Sequence, residues 1–404
     1  MTEEQSPTYE LILLSPYTYP THNALYLSVE AVVCFLNGYV TLWQPAGASI
    51  REGFPRIASP YDYEQPREGH LYAIPENPPP MLPENWEEDA RQVGAIVFTV
   101  PEDRLQAEQN LVESLRGHVD ERLLSLERDR IRSFFAFGFG YGHLEALFEA
   151  MDHENLTDYQ GINEDLDLAI AALLEDTSEE GESPLQRAAQ RLIDARDVLY
   201  TAPVYILDLH LLDEDRFDDP LPIAMDSGTP VNFMTTGKSL QQFAEKCPEK
   251  MERIREGISQ LTVEVCGGSF VEREEPLLPL ESQMWNLIRG TEVSRELLGT
   301  DIHSHARKRF YAHPQTPSLL QSVGLEQALL VSFDEHVLPY FHSTVINWTS
   351  ADQKQVDALC RTPYAGDSPQ TYYQLAHYLN ETIMQDHAAT IALVHTGEPC
   401  SWYE

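Results

Sequence analysis

Carboxylates, histidines and basic residues follow directly on several short apolar runs of this sequence. Each run ends in polar side chains that could do chemistry: Asp208, His210 and Asp213; Glu272 and Glu274; Arg307, Lys308 and Arg309; Asp334, Glu335 and His336; His395 and Glu398. Imidazoles and carboxylates can hold a metal or transfer protons, and cations can bind an anion. If the apolar runs are parallel strands, these side chains converge at the carboxyl ends of the strands.

The apolar runs alternate with amphipathic stretches, which predicts strands alternating with helices. The predicted strands are Val204–Leu209, Val231–Met234, Leu261–Cys266, Ile302–Ala306, Ala328–Phe333, Thr344–Trp348 and Thr390–Val394. The predicted helices are Leu240–Ile258 (restarting at Pro248), Leu280–Leu298, Pro317–Val323 and Thr371–Gln385. Gly299 follows the second of these helices, at the place of a C-cap glycine. Alternation of this kind predicts the α/β class, with a parallel sheet covered by helices.

The first half of the chain contains no motif with an assignable chemistry. Strands are predicted at Leu11–Leu14 and Ala95–Val100 and a helix at Ser28–Leu42, whereas Gly47–Trp86 is rich in proline and acids and predicts a loop or an extended arm. An acidic, linker-like stretch precedes a predicted helix at Leu185–Leu199. We therefore predict two domains, with residues 1–200 an α/β and helical region of unknown role and residues 201–404 the second domain.

A glycine-rich segment, FAFGFGYGH from Phe135 to His143, could suggest a phosphate-binding loop. No Lys-Ser/Thr pair follows it, no predicted strand leads into it, and its glycines alternate with aromatic residues. The segment therefore predicts close helix packing across Gly138, Gly140 and Gly142.

Composition excludes some classes of partner. The formal net charge is −38, from 65 acidic and 27 basic residues, and a field of that sign repels nucleic acid and anionic lipid. We predict no nucleic-acid partner and no membrane association; the sequence does not indicate an oligomeric state. The five cysteines include no CxxC pair, and the acidic start MTEEQSPTYE is unlike a signal peptide. These features predict reduced thiols and a cytoplasmic location.

The stretch Val263–Leu320 resembles the catalytic barrel of glycoside hydrolase family 38, the α-mannosidases, and more loosely that of family 57. In that family one strand ends in a Gly-Gly pair followed by an aromatic and acidic residues, here Gly267, Gly268, Phe270 and Glu272. The next strand ends in Pro-Asp-x-Phe-Gly and a Leu-Pro-Gln-Ile-Leu run follows, and here Arg307–Phe310 and Thr316–Leu320 take those places. The resemblance extends over about residues 203–400 and implies that the seven strands close into a (β/α)7 barrel of the glycoside hydrolase/deacetylase type.

The resemblance also implies a metal site, with one departure. The family has a zinc-binding His-x-Asp pair on the first strand and a histidine on the last, here His395. The pair is present here in reversed order as Asp208 and His210, or alternatively as His210 and Asp213, which is one residue too long. The family's nucleophile, also a zinc ligand, is an aspartate in the place of Lys308. A protonated amine cannot ligate zinc, so we expect Lys308 to pair with Asp208 or with the neighbours of His210. The expectation is that no cofactor is bound, and the alternative is one divalent metal ion, zinc.

Two functional hypotheses follow from the resemblance, both with a carbohydrate ligand. In the first, Lys308 leaves the barrel non-catalytic or gives it an altered chemistry. In the second, the protein is an active glycoside hydrolase with a relocated pair of carboxylates, because retaining enzymes need two carboxyls about 5 Å apart. The candidate catalytic residues are Glu272, Glu274, Lys308, Asp334 and Glu335. The predicted substrate-binding residues are Arg307, Arg309, Trp348 and Glu398, and the basic triplet would suit a sugar phosphate or a uronate.

Overall fold

The computed structural model describes residues 7–22, 27–152, 156–175, 183–199, 204–226, 228–309, 313–333, 338–339, 341–343, 345–385 and 389–395. The chain divides into two compact units. The first unit contains the described residues up to 199 together with Ser368–Asn380, and the second contains the described residues of 204–367 and 381–395.

A four-stranded parallel sheet forms the centre of the first unit. Its strands are β1 (Glu10–Leu14), β2 (Arg56–Ala58), β3 (His70–Pro75) and β4 (Ile96–Val100), in the order β2-β1-β3-β4. The prediction of an irregular arm over Gly47–Trp86 is wrong, because β2 and β3 lie in that stretch. All six residues of β3 are buried, and its proline stands at the last position.

Eight helices accompany this sheet in the described part of residues 1–199. They are α1 (Val29–Thr41), α2 (Pro45–Ala48), α3 (Trp86–Gln92), α4 (Arg104–Ser114), α5 (Glu121–Leu124), α6 (Arg128–Ala150), α7 (Tyr159–Glu175) and α8 (Pro184–Leu199). The side chain of Ser28 caps α1 by accepting a hydrogen bond from the backbone N–H of Ala31 at 3.2 Å. No helix in the described part of the chain combines the length and the apolar content that crossing a bilayer would require.

Helix α6 contains the glycine-rich segment, and two of its glycines allow close packing. A Cβ atom at Gly138 would overlap the indole ring of Trp43, and one at Gly142 would lie 2.7 Å from the rings of Tyr19 and Tyr39. Gly140 has no heavy atom within 4 Å of such a Cβ. The predicted close packing is therefore confirmed at Gly138 and Gly142 and is wrong at Gly140.

The described part of the second unit contains nine strands, most of them parallel. They are β5 (Val204–Leu211), β6 (Val231–Met234), β7 (Val263–Cys266), β8 (Ser304–Ala306), β9 (Gln327–Leu330), β10 (Val345–Thr349), β11 (Gln355–Cys360), β12 (Tyr364–Ala365) and β13 (Ala389–His395). One sheet has the order β12-β13-β5-β6-β7 and the other has the order β10-β11-β9-β8. A parallel bridge between Gly267 and His305 joins β7 to β8. The run β13-β5-β6-β7-β8-β9-β11 thus contains seven parallel strands.

The prediction that the sixth strand, Thr344–Trp348, belongs to the parallel set is wrong. This strand is β10, which pairs antiparallel with β11, and the unpredicted β11 takes the parallel position beside β9. The polar residues Gln355 and Asp357 alternate with buried ones along β11, which hid it from a search for continuous apolar runs. Exposed residues likewise alternate along β10, as expected for a strand with one face toward water.

The predicted helices of the second half are found close to their expected bounds. They are α9 (Gly237–Lys246), α10 (Pro248–Ser259), α11 (Leu280–Leu298), α12 (Thr316–Ser322), α13 (Pro369–Tyr373) and α14 (Leu375–Gln385). The restart at Pro248 is confirmed, and the last predicted helix is divided into α13 and α14. Helix α11 is capped at its C-terminus by Gly299, whose φ of 77° is left-handed, a conformation that glycine adopts at little cost.

Candidate functional site

Strands β5 and β13 bring Asp208, His210 and His395 together. The two strands pair in parallel, with His395 opposite His210 and Leu393 opposite Asp208. Because side chains alternate along a strand, residues 208 and 210 share one face of the sheet with residue 395. The imidazoles of His210 and His395 stack with their centroids 4.2 Å apart and their planes 5° from parallel. The expected grouping of these three residues is therefore present in the structure.

The three side chains form a hydrogen-bonded cluster around one carboxylate. Nε2 of His395 lies 2.5 Å from Oδ1 of Asp208, and Nε2 of His210 lies 3.2 Å from Oδ2 of the same residue. Nδ1 of His395 lies 3.1 Å from Oδ1 of Asp367. His395 therefore has a carboxylate at each ring nitrogen.

This arrangement shifts the pKa of two groups in opposite directions. Burial opposes the charged form of Asp208, but hydrogen bonds from His210 and His395 and their charges hold its pKa well below the usual range. Burial also disfavours protonation of His395, but the hydrogen bonds to Asp208 and Asp367 and their charges raise its pKa to about 9. The metal-free cluster thus favours an ionised Asp208 beside a protonated His395.

The donor set fits a divalent cation. One ligand atom each from Asp208, His210 and His395 can be chosen so that all three lie within 4.8 Å of one another. Two imidazole nitrogens and one carboxylate oxygen form a set that zinc accepts, and three protein ligands leave a coordination position for water or substrate. A cation bound here would take the place of the proton on His395.

Lys308 is held by two carboxylates, neither of which is Asp208. Its Nζ forms an ion pair with Asp213, which follows β5, and its backbone N–H donates to Oε1 of Glu272 at 2.7 Å. The Lys308 side chain is 37% exposed, so the amine remains accessible to solvent. We expected this amine to pair with Asp208 or with a neighbour of His210. In the structure it pairs with Asp213, three positions after His210.

The loop that carries Glu272 is fixed by helix α11. Asn286 is fully buried, and its amide accepts from the backbone N–H of Val271 at 3.0 Å and donates to the Val271 carbonyl at 2.9 Å. A Cβ atom at Gly290 would collide with the backbone at Gly268, so this glycine allows the loop to approach the helix. The loop that presents Glu272 to the backbone N–H of Lys308 is therefore packed and hydrogen-bonded against α11.

The two arginines beside Lys308 have different environments. Arg307 is 5% exposed, and its guanidinium donates to Oε2 of Glu275 at 2.5 Å and to the carbonyl of Arg273 at 2.6 Å. Burial raises the pKa of Glu275 despite the opposing charge of Arg307. Arg309 and Glu274 form a pair at 3.7 Å, and both side chains are more than half exposed.

The remaining predicted residues lie elsewhere or outside the described part of the chain. Trp348 is on the antiparallel strand β10 and packs against the hydrophobic core of the second unit. Asp334, Glu335 and Glu398 fall outside the described residues, so the predicted opposition of Glu272 or Glu274 to Asp334 or Glu335 stays a prediction.

Sequence reasoning missed Asp367, the second carboxylate at His395. It follows β12, which has two residues and is too short for any periodicity to reveal. The local sequence Gly-Asp-Ser-Pro is typical of a turn. Only the pairing of β12 with β13 brings this turn to His395.

One known family matches part of this second unit. Residues 222–393 match the model of the family described as the glycosyl hydrolases family 38 N-terminal domain. The resemblance to family 38 is confirmed over this segment, which is less than half of the chain. No curated protein matches the chain.

Particular solved structures resemble about half of the chain at low identity. A 4-alpha-glucanotransferase from Thermococcus litoralis has 16% identity and a TM-score of 0.37, and the match covers 50% of this chain and 35% of that one. An alpha-mannosidase from Enterococcus faecalis V583 has 15% identity and a TM-score of 0.36, with 49% and 25% covered. A putative polysaccharide deacetylase from Mycobacterium smegmatis has 14% identity and a TM-score of 0.34, with 48% and 77% covered. The matched part spans about a third or less of the first two proteins.

Proposed function

We propose that the second unit binds a carbohydrate and does not use the covalent chemistry of family 38 at position 308. One observation carries this proposal. The carboxylate of Asp213 pairs with the amine of Lys308, the residue that the resemblance puts in place of the family's nucleophile, and Glu272 accepts its backbone N–H. A protonated amine cannot attack a sugar carbon as a carboxylate does. The family match over residues 222–393 supports a carbohydrate as the ligand.

We also propose that the seven parallel strands close into the (β/α)7 barrel that the family resemblance implies. In this arrangement β11 is the sixth strand, and β10 is an addition outside the parallel set. We retain the division near residue 201 into an N-terminal domain of unknown role and the barrel.

Within this site the exposed polar groups are the ones we assign to the ligand. Lys308, Glu272, Arg309 and Glu274 are accessible in part and offer both donors and acceptors to sugar hydroxyls. We assign Arg307 a structural role instead, because its buried guanidinium pairs with Glu275 and so connects the end of β8 to the loop after β7.

Binding and turnover should be measured on the full-length protein. We expect saturable binding to an oligosaccharide on a glycan array, and no hydrolysis of an aryl α-mannoside. Arg309→Ala should weaken binding about tenfold, whereas Arg295→Ala should leave it unchanged; both arginines are exposed and ion-paired in the second unit. Hydrolysis of the aryl mannoside by the wild type, abolished by Glu272→Gln, would instead establish the hypothesis of a relocated carboxylate pair.

A second candidate function, metal-assisted hydrolysis of a carbohydrate substituent, is favoured by the Asp208–His210–His395 cluster. These residues would hold a zinc ion, which when bound polarises a carbonyl and lowers the pKa of a bound water. We expect release of acetate from acetylated sugars only after zinc is added to chelator-treated protein. Release that is equally fast in the presence of chelator would contradict this candidate.

A cytoplasmic location remains a proposal that rests on the cysteine pattern. Thiol titration of protein denatured without reductant should find five reactive thiols. A smaller number that rises to five after reduction would argue for an oxidising compartment.

A further inference from the structure

The turn after β12 lies directly against His395. Strand β12 pairs in parallel with β13, and the backbone N–H of Gly366 continues the ladder by donating to the carbonyl of Val394 at 2.7 Å. The next residue, Asp367, places Oδ1 3.1 Å from Nδ1 of His395. One short turn therefore contacts both the backbone and the imidazole at the end of β13.

Gly366 brings this turn closer to the imidazole than another residue could. A Cβ atom at position 366 would lie 2.5 Å from Cε1 and 2.6 Å from Nε2 of His395, well inside van der Waals contact. The same imidazole stacks on His210 at 4.2 Å. The ring plane of His395 is thus confined by Gly366 and His210, and its rotation within that plane is fixed by Asp367.

The orientation of His395 decides which of its nitrogens can bind a cation. When Nδ1–H is donated to Asp367, the lone pair of the neutral ring is on Nε2, the atom that faces Asp208. His210 also presents Nε2 to Asp208, so both rings direct the same nitrogen to one carboxylate. Ligating histidines usually donate their other N–H to a carboxylate or a carbonyl in this way.

We propose that Gly366 and Asp367 position His395 so that Asp208, His210 and His395 bind one divalent cation; this rests on the second candidate function above. Asp367 is a positioning residue and does not ligate the cation. In the described part of the chain, no other group of three or more His, Cys, Asp or Glu residues converges in this way.

The test uses full-length protein treated with chelator, then titrated with Zn²⁺ in competition with a chromophoric chelator and separately with Co²⁺. The visible absorption of Co²⁺ reports the arrangement of its ligands, independently of any enzymatic activity. We expect one bound ion in the wild type and loss of binding in His395→Ala. Asp367→Ala should bind Zn²⁺ 10- to 100-fold more weakly, the range for loss of an outer partner, and its Co²⁺ spectrum should change.

Two further variants separate positioning from general effects. Asp367→Asn keeps an oxygen that can accept the Nδ1 hydrogen bond and should fall between wild type and Asp367→Ala. Asp226→Ala removes a carboxylate that pairs with Arg253 in the same unit and should bind like the wild type. Gly366→Ala should alter the Co²⁺ spectrum because its Cβ displaces the ring.

The outcomes distinguish the failure of each idea. A wild type that binds no stoichiometric ion overturns both the cation site and its positioning, and leaves the carbohydrate-binding proposal unaffected. A wild type that binds the ion, with Asp367→Ala equal to it in affinity and spectrum, overturns the positioning role alone. If Asp367→Ala does not fold, the test rests on Asp367→Asn and Gly366→Ala. Wild-type Zn²⁺ affinity and a wild-type Co²⁺ spectrum in both of these variants would then overturn the positioning role.

Discussion

The surroundings of Lys308 suit a cation. Asp213 neutralises its amine, and Glu272 accepts its backbone N–H. The pair is partly exposed, with side chains 37% and 22% accessible, so solvent screening limits its contribution to stability to about 1 kcal/mol. The ion pair also neutralises Asp213, the carboxylate that follows β5.

Replacing Lys308 by aspartate should offer a further carboxylate to a metal ion, if position 308 lies where the family resemblance implies. We expect Lys308→Asp to bind Zn²⁺ at least about tenfold more tightly, since one more anionic ligand is offered. Lys308→Met removes the amine without adding a ligand and should bind zinc like the wild type. Calorimetric titration of both variants, with thermal unfolding as a control for folding, measures this. Equal affinity in the two folded variants would mean that position 308 does not reach the other donors.

Stability should depend on pH through His395, which is 8% exposed. Its pKa is about 9 in the folded protein and roughly 6.5 when unfolded. The folded state therefore binds more protons between these values, and the stabilisation is complete below about pH 6.5 and lost as pH rises through 9. The loss should be about 2–3 kcal/mol. Asp208 stays ionised throughout, because its pKa is lowered.

Urea unfolding at pH 6.0, 7.5 and 9.0, with a chelator present, measures this slope. His395→Gln should show little pH dependence over the same range. A wild type as stable at pH 9.0 as at pH 6.0 would contradict the ionic character of the cluster.

At the scale of elements, the success of sequence reasoning depended on how much each element determines its own conformation. Helix α11 was predicted over its observed bounds because its apolar spacing and the glycine after it are local signals. Strand β11 was missed because polar residues alternate along it and a tight turn from Ser350 to Lys354 joins it to β10. The pairing of Lys308 with Asp213 joins residues 95 positions apart, and no local pattern encodes such a contact.

The same limit applied to the cluster on β5 and β13. The family resemblance led to Asp208, His210 and His395, whereas nothing in the sequence near Asp367 marked it as a partner of His395. A two-residue strand has no period, and its register depends on pairing with β13. Residues that orient a site from a short turn are therefore harder to predict than the residues that they orient.

Two glycines of helix α6 provide a matched pair of substitutions. Gly138→Ala places a methyl group into the indole of Trp43 and should destabilise the protein by about 1–3 kcal/mol through overpacking. Gly140→Ala meets nothing within 4 Å and should stabilise it by up to about 1 kcal/mol through helix propensity. Thermal or urea unfolding should give opposite signs for the two variants. Equal changes in stability for the two variants would contradict the difference in packing between Gly138 and Gly140.

At the scale of the whole molecule, the net charge of −38 is the dominant feature. Acidic residues outnumber basic ones 65 to 27, so many carboxylates have no cationic partner. Repulsion among them destabilises the compact state and is screened by salt.

Added salt should therefore stabilise the protein. Between about 10 mM and 300 mM sodium chloride, where the Debye length falls from about 30 Å to below 10 Å, we expect the unfolding temperature to rise by a few degrees. Scanning fluorimetry at several salt concentrations measures this. An unfolding temperature that falls with salt would show that specific ion pairs outweigh the general repulsion.

The first unit is discontinuous in sequence, and this has a consequence during synthesis. Its helix α13 joins the unit from residues 368–380, where Tyr373 donates to the carbonyl of Thr18 at 2.6 Å and its ring meets that of Phe35. A ribosome that has completed residue 199 must add about 180 more residues before this contact can form. At 5–20 residues per second that interval is roughly 10–40 s. Throughout it the nascent first unit lacks the segment that covers Phe35, so it exposes apolar surface to chaperones while most of the second unit is still being made.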